Sequence, residues 1–203
     1  MVLPHANGEC GLAAGDLNGD GLADIVANDG ACANLLVFLS QGDGGFQSTA
    51  YGTPSVSEIL LLPRAGKPPD LLLALSGLPI DAAFFVDLGV GVMHNLGDGT
   101  FSDAQTIAAQ GGSSLAIGDF NGDCIPDVAT PARNFYGCEA GWGTSVLYAD
   151  GDGGFARSQQ FLPAAGQGPM SVAVLGSVQH PGVIAVSDSC TGDIMVYGGS
   201  SGH

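Results

Sequence analysis

Two ten-residue stretches carry oxygen-bearing side chains at the same alternating positions. The first is GDLNGDGLAD, residues 15–24, and the second is GDFNGDCIPD, residues 118–127. Loop positions 1, 3, 5 and 9 are Asp or Asn, and position 7 can offer only its main-chain carbonyl. Oxygen-only coordination with several carboxylates suits a hard cation such as Ca²⁺. The sequence therefore predicts two calcium sites, with the ligands Asp16, Asn18, Asp20, Leu22 and Asp24 in the first loop and Asp119, Asn121, Asp123, Ile125 and Asp127 in the second.

These loops differ from the calcium loop of the EF-hand. Position 12 would be Ala27 or Thr130, so the bidentate glutamate is missing, and the flanking segments have the pattern of strands. The alternative is a turn that only closes a hairpin, with its carboxylates accepting main-chain N–H groups. Because four oxygen side chains recur at identical offsets, we expect calcium. No metal is expected where a third loop would begin, since the ligand positions there are Leu62, Arg64, Gly66 and Asp70.

The composition excludes several classes of function. Four Lys plus Arg against twenty Asp plus Glu give a formal charge of −16, which disfavours binding to nucleic acid or an anionic membrane. The hydrophobic fraction of 45% indicates a folded core. No apolar run reaches the roughly 20 residues of a transmembrane helix, and no signal peptide is visible. Residues 199–203 have the composition of a linker running into a tag.

A second motif reveals an internal repeat. Gly-Asp-Gly-x-Phe sequences end at Phe46, Phe101 and Phe155, about 55 residues apart. Each interval contains short apolar, β-branched runs between Gly, Asp and Asn clusters, which predicts four strands per unit. We therefore expect one all-β domain over residues 1–198, a β-propeller of four four-stranded blades. The units span about 10–54, 55–109, 110–165 and 166–198, and residues 1–9 supply the outer strand that the last unit lacks.

The two loops, each followed by a Gly-Asp-Gly-x-Phe turn, resemble the FG-GAP/VCBS repeats of the integrin α-chain propeller and of many bacterial secreted proteins. The resemblance covers nearly the whole chain as two strong and two weak units. It implies a structural calcium ion in each strong loop, between the first two strands of a blade. The usual ring has seven blades, so a closed four-blade monomer, an eight-blade dimer and a fragment of a larger ring are all open.

No catalytic residues are predicted. The sequence contains neither a GxSxG elbow nor an HExxH motif, and we expect the separated His5, His94 and His180 to lie in loops or at the surface. The function that we expect is that of an exported calcium-binding module for adhesion or for recognition of a protein or carbohydrate ligand, able to form a homo-oligomer. A lectin, with Trp142 stacking on a sugar, is the first alternative. Part of a polysaccharide-active enzyme is the second.

The five cysteines include no CxxC pair and no zinc spacing. Four of them flank the first or second strands of their units and should share one face of the ring. This register predicts the disulfides Cys10–Cys32 and Cys138–Cys190, in keeping with an exported protein. Cys124 replaces a loop glycine on the opposite face, and we expect a free thiol there. Five reduced, buried thiols are the alternative.

Overall fold

A computed structural model describes residues 11–29, 34–76, 87–108, 111–112, 114–131, 143–161, 169–175, 183–188 and 190–197. The described residues form fifteen β-strands in four antiparallel sheets and contain no helix. The predicted all-β fold is confirmed. The predictions for the strand at residues 1–9, for Cys10, Cys32 and Cys138, for His5 and His180, and for Trp142 lie outside the described residues.

Each sheet is a meander that takes its strands from one continuous stretch of chain. Sheet 1 contains β1 (Leu12–Gly15), β2 (Asp24–Asn28), β3 (Asn34–Ser40) and β4 (Phe46–Gly52). Sheet 2 contains β5 (Val56–Arg64), β6 (Lys67–Ser76), β7 (Asp87–Met93) and β8 (Gln105–Ala108). Sheet 3 contains β9 (Ala116–Gly118), β10 (Asp127–Pro131), β11 (Thr144–Ala149) and β12 (Phe155–Phe161). Sheet 4 contains β13 (Pro169–Leu175), β14 (Val183–Asp188) and β15 (Ile194–Tyr197).

Three apolar cores join successive sheets in chain order. Strand β6 shows how, because its side chains alternate between the two faces of sheet 2. Leu71, Leu73 and Leu75 pack with residues of sheet 1, whereas Leu72 and Ala74 pack with residues of sheet 3. A third core joins sheets 3 and 4. The two middle sheets are therefore covered on both faces, and accordingly consecutive residues are buried in β6, from Leu71 to Leu75, and throughout β10.

The outer faces of the two end sheets lack such a neighbour among the described residues. Leu115, just before β9, is 4% exposed in the core between sheets 2 and 3, whereas Leu12, which precedes its acidic loop by the same interval, is 70% exposed. On sheet 4, Ile194 and Val196 are 71% and 61% exposed. Equivalent positions thus differ in burial according to whether a sheet packs on that side.

The Gly-Asp-Gly segments form the hairpin turns that the sequence predicts. In the first, Gly42 and Gly44 have φ of 75° and 90°, a region open to glycine at little cost. The main-chain N–H of Gln41 donates to the Gly45 carbonyl, and the N–H of Gly45 donates to the Asp43 carboxylate. The phenylalanine after the turn begins the next strand in sheets 1 and 3.

Candidate functional site

The two acidic loops each connect the first and second strands of a sheet. The first lies between β1 and β2 and the second between β9 and β10. Each must turn sharply after position 3, and the main chain does so with positive φ at positions 4 and 6. These positions are Gly19 and Gly21 in the first loop and Gly122 and Cys124 in the second, where Cys124 has φ of 66°. Cys124 is a free, exposed thiol, as predicted.

In the first loop the side chains at positions 1, 3 and 5 are held together by the main chain. The Asp16 carboxylate accepts from the N–H groups of Gly19 and Gly21, at 2.7 and 2.9 Å. These hydrogen bonds lower the pKa of Asp16, with that from Gly21 contributing most. The Asn18 amide nitrogen lies 2.9 Å from Asp20 Oδ2, so these two side chains converge at the exposed rim of the loop.

The second loop repeats this arrangement almost bond for bond. Asp119 accepts from the main-chain N–H groups of Gly122 and Cys124, at 2.7 and 2.9 Å. Asn121 Nδ2 lies 2.8 Å from Asp123 Oδ2. Independent segments with different intervening residues thus adopt one loop structure, which indicates that the Asp/Asn positions determine it.

The aspartates at position 9 have a different role from the side chains at positions 1, 3 and 5, which form the rim of each loop. Asp24 and Asp127 are fully buried, and both carboxylate oxygens of each accept hydrogen bonds from main-chain N–H groups. Asp24 accepts from Leu17 and from Ser40, both at 2.8 Å. Asp127 accepts from Phe120 and from Ala149, both at 2.9 Å. Each aspartate therefore ties the start of its loop to the end of the third strand of its sheet.

This buried aspartate links the two sequence motifs. Ser40 and Ala149, which donate to it, are the residues that pair with Phe46 and Phe155 at the Gly-Asp-Gly-x-Phe turns. The hydrogen bond thus fixes the acidic loop to the adjacent hairpin turn. Sequence analysis assigned Asp24 and Asp127 as metal ligands and missed this contact. The signal that could have revealed it is the retention of Asp70 in a unit whose other loop acids are lost.

Among the described residues, no three His, Cys, Asp or Glu side chains converge as a metal site. The acidic side chains of each loop do not converge because Asp24 and Asp127 are buried beneath their loops and because position 3 carries an amide instead of an acid. The chemistry of the loops nevertheless fits a hard cation, because the side chains at positions 1, 3 and 5 all carry oxygen and every carboxylate oxygen at positions 1 and 5 except Asp119 Oδ1 accepts a single hydrogen bond. Burial raises the pKa of Asp127, and the charges of Asp123 and Asp119 add to the rise, against the hydrogen bonds from Phe120 and Ala149.

Sheet 2 keeps the buried aspartate but replaces the loop with a short hairpin. Asp70 is fully buried, pairs with Leu62 across β5 and β6, and accepts from the main-chain N–H of Asn95 at 2.7 Å. Asn95 pairs with Phe101, as Ser40 does with Phe46. The guanidinium of Arg64 donates to the same oxygen of Asp70 at 3.0 Å, so an ion pair is present where the other two sheets have only main-chain donors. A protein cation, Arg64, thus stands at a position where the acidic loops carry a predicted ligand.

His94 also contacts Asp70, with its Nδ1 3.0 Å from Asp70 Oδ2. Sequence analysis placed His94 in a loop or at the surface and did not predict its contact with a buried carboxylate, because 24 residues separate the two. His94 is only partly exposed. The Gly-Asp-Gly turn of sheet 3 lies against it, since a Cβ at Gly153 would come within 3.2 Å of His94 Cε1. Asp70 therefore holds three donors at one point: Arg64, His94 and the Asn95 amide.

A pocket of about 530 Å³ opens beside this cluster. Its wall includes Arg64, Lys67 and His94, together with Pro68, Leu96 and Asp152. A separate cleft of about 380 Å³ between sheets 2 and 3 shares Arg64 with it and is lined mainly by apolar residues and the exposed Cys124. Two of the four Lys and Arg residues in the chain thus face one pocket.

Comparison with known families supports the repeat. Residues 69–130, from the buried Asp70 through the second acidic loop, match the family model described as an FG-GAP-like repeat. The chain contains an FG-GAP-like repeat. The matched segment joins most of sheet 2 to the first strands of sheet 3, so it includes one acidic loop with its buried aspartate. No curated protein matches the FG-GAP-like chain.

Two further features of the chain concern its disulfide bonding and its lack of a described membrane-spanning helix. Cys190 is disulfide-bonded, in agreement with the prediction that it pairs, and its partner lies outside the described residues. Among the described residues, no helix has the length and hydropathy needed to span a membrane.

Proposed function

We propose that this FG-GAP-like chain is an extracellular recognition module whose acidic loops bind structural calcium. The observation that carries the proposal is the recurrence of one loop structure in sheets 1 and 3, with matching hydrogen bonds at positions 1, 3, 5 and 9. FG-GAP repeats are typical of extracellular proteins, and the disulfide at Cys190 suits an oxidising compartment. We therefore propose secretion or display at a cell surface.

Calcium would be held by the rim of each loop. The residues are Asp16, Asn18 and Asp20 with the Leu22 carbonyl, and Asp119, Asn121 and Asp123 with the Ile125 carbonyl; Asp24 and Asp127 add their second lone pairs from below. Bound calcium would neutralise the like charges of the loop and stiffen the turn. In support, the described residues place no Lys, Arg or His side chain within ion-pair distance of these carboxylates.

The four sheets are proposed to be blades of a β-propeller. Their stacking in chain order, with one apolar core between each successive pair, supports this architecture. Ring closure would cover the apolar outer faces marked by Leu12 on sheet 1 and by Ile194 and Val196 on sheet 4. The strand predicted at residues 1–9 would complete sheet 4, whose described part has three strands.

Binding rather than catalysis is proposed for the pocket beside Asp70. The Asp70–His94 pair has the geometry of a base held by a carboxylate. However, Asp70 is also neutralised by Arg64, and the pocket wall contains no Ser, Thr or Cys side chain that could act as a nucleophile. These features suit the recognition of a charged group.

Two measurements test the proposed function. Isothermal titration calorimetry with CaCl₂ should detect two sites, and Asp20→Asn and Asp123→Asn should each remove one. The charge-matched control is Asp103→Asn, an exposed residue outside the loops. Thermal unfolding should occur at a higher temperature in calcium than in chelator. An unchanged midpoint with no calcium heat would refute the metal assignment.

Recognition is tested separately on arrays of extracellular-matrix proteins and glycans probed in calcium. We expect selective binding to a small number of matrix proteins. Selective binding to glycans alone would favour the lectin, and a complete absence of binding would contradict a recognition role.

A further inference from the structure

The pocket beside the Arg64–Asp70 pair holds two of the few Lys and Arg side chains of a strongly acidic protein, one of them paired with Asp70. The chain carries a formal charge of −16 with four Lys and Arg residues, of which Arg64 and Lys67 line this pocket together with His94. Lys67 is exposed at the first residue of β6 and lies within ion-pair distance of no acidic side chain in the described part of the chain. An exposed, unpaired cation is a suitable anchor for an anionic group.

The pocket has apolar surface next to the cations. Leu96 is 67% exposed, and Pro68 is half-buried beside it. An isolated exposed leucine needs no explanation, but here it adjoins an anchoring charge within one concave site. A ligand that combines a carboxylate with an aliphatic group would use both features.

Two side chains of the pocket wall are held in place by Asp70. Arg64 is 23% exposed and is fixed by its hydrogen bond to the fully buried Asp70. His94 is fixed by the same carboxylate through Nδ1, which leaves its Nε2 edge as the part free to face the pocket. Because these side chains are already ordered, binding would cost little additional conformational entropy.

Asp152 also lines the pocket, and its carboxylate opposes the binding of an anion. The ligand's anionic group must therefore sit on the side of Arg64 and Lys67. Removing a positive charge on the side of Arg64 and Lys67 should therefore weaken the binding of an anionic ligand, and removing the charge of Asp152 should strengthen it.

We infer that this pocket binds an acidic peptide segment of a partner protein, with a carboxylate between Arg64 and Lys67 and an adjacent aliphatic side chain on Leu96 and Pro68. The inference rests on the proposed recognition function and assigns a ligand class and a site to it. A peptide is favoured over an acidic sugar because the apolar surface of the wall is aliphatic, from Leu96 and Pro68, and no Trp, Tyr or Phe is among the described residues that line it.

The test uses the full chain in calcium buffer and follows main-chain amide shifts by NMR. The probe is an N-acetylated, C-amidated pentapeptide with a central aspartate flanked by leucines. The expected result is saturable shifts centred on Lys67, Leu96 and Gly97. The same peptide with asparagine in place of aspartate should bind about tenfold more weakly.

Two variants with opposite expected effects provide the decisive comparison. Lys67→Gln should weaken the aspartate peptide about fivefold, and Asp152→Asn should tighten it about twofold. Neither residue is buried, so both variants should unfold at the wild-type temperature. Equal affinity for wild type and both variants, or no saturable shifts at these residues, would overturn the inference. So would saturable binding of a uronate disaccharide here without binding of the peptide.

Calcium titration of the same sample keeps this result apart from the broader proposal. If calcium binds at two sites and matrix proteins bind on the arrays while the peptide does not, the pocket assignment alone fails. If calcium, matrix proteins and peptide all fail to bind, the proposed function fails with it.

Discussion

The guanidinium of Arg64 lies 3.0 Å from Asp70 Oδ1, the oxygen that also accepts the main-chain N–H of Asn95. The other oxygen of Asp70 lies 3.0 Å from His94 Nδ1, whereas the corresponding oxygens of Asp24 and Asp127 accept the N–H groups of Leu17 and Phe120. Three successive sheets thus contain the same buried aspartate, and two different donors satisfy it. The second sheet closes its first hairpin with an ion pair instead of an acidic loop. The shared element of the repeat is therefore the buried carboxylate, not the metal-binding pattern around it.

Removing the Arg64 guanidinium should destabilise the fold. Arg64→Gln leaves the buried Asp70 without its ionic partner, and we expect a loss of about 2 kcal/mol in the free energy of unfolding, measured in urea. Asp70→Asn removes the charge that needs the partner, so the double variant should cost less than the sum of the two single variants. Strict additivity would show that the pair is not coupled.

The buried aspartates should matter more for stability than the rim acids. Asp24→Ala removes the acceptor for the N–H groups of Leu17 and Ser40, and each would remain buried or half-buried without a partner. We expect a loss of about 3 kcal/mol for Asp24→Ala and less for Asp24→Asn, which keeps one acceptor oxygen. Urea unfolding in chelator excludes any contribution from metal. Asp103→Asn serves as the control, and a cost for Asp24→Ala no larger than this control's would contradict the assignment.

Two leucines that occupy the same place relative to their acidic loops should respond differently to truncation. Leu115→Ala empties part of the core between sheets 2 and 3 and should cost about 3 kcal/mol. Leu12→Ala should cost less than about 0.5 kcal/mol where sheet 1 is uncovered as in the described residues, because Leu12 is then 70% exposed, and closure of the proposed ring would raise this cost. The comparison is made by urea unfolding at low protein concentration. A large cost at Leu12 would show that sheet 1 is covered in solution by another sheet.

Glu58 should produce a measurable pH dependence. Its carboxylate accepts from the Leu115 N–H at 2.8 Å, and burial raises its pKa above the usual value of 4.5. The folded state therefore binds this proton more tightly than the unfolded chain, so the contribution of Glu58 to stability falls as the pH rises through 4.5 and the folded pKa. Glu58→Gln keeps an acceptor without the charge.

The Glu58→Gln variant should have a higher melting temperature than wild type at pH 7. The difference should shrink as the pH is lowered to 4.5 and below, where the wild-type carboxyl is protonated too. A constant difference across this pH range would mean that the effect of the substitution is not ionic.

The strain at Cys124 gives a prediction about the second loop. Its φ of 66° is costly for a side chain with a Cβ, and Gly21 holds the same place in the first loop. We expect Cys124→Gly to stabilise the protein by about 0.5 kcal/mol and Cys124→Val to destabilise it. Differential scanning calorimetry would report both shifts, and a lower midpoint for the glycine variant would argue against backbone strain.

Much of the fold follows from local sequence signals. Gly-Asp-Gly turns and short apolar runs predict the hairpins, and the spacing of Phe46, Phe101 and Phe155 predicts the repeat. The alternation of Leu71 to Leu75 between two cores follows from the two-residue period of a strand. The acidic loops could be found because all their ligand positions lie within nine residues.

The contacts that sequence analysis missed join distant residues. Asp24 meets Ser40 across the sheet, and Asp70 meets His94 and Asn95. A strand pairing must be known before such contacts can be inferred, because an aspartate that binds metal and one that accepts N–H groups are identical as letters. The pocket beside Arg64 was missed for the same reason, since its wall combines two hairpins of sheet 2 and one turn of sheet 3.

The buried aspartates also bear on the order of events during maturation. Their partners are main-chain N–H groups and the guanidinium of Arg64, all of which belong to the chain itself. The hairpins can therefore close without metal, and the calcium proposed for the loops would be loaded later without reopening the sheets. Under the proposed calcium binding, assembly and ion uptake would be separable steps, and the chain would fold first and gain its final rigidity where calcium is abundant.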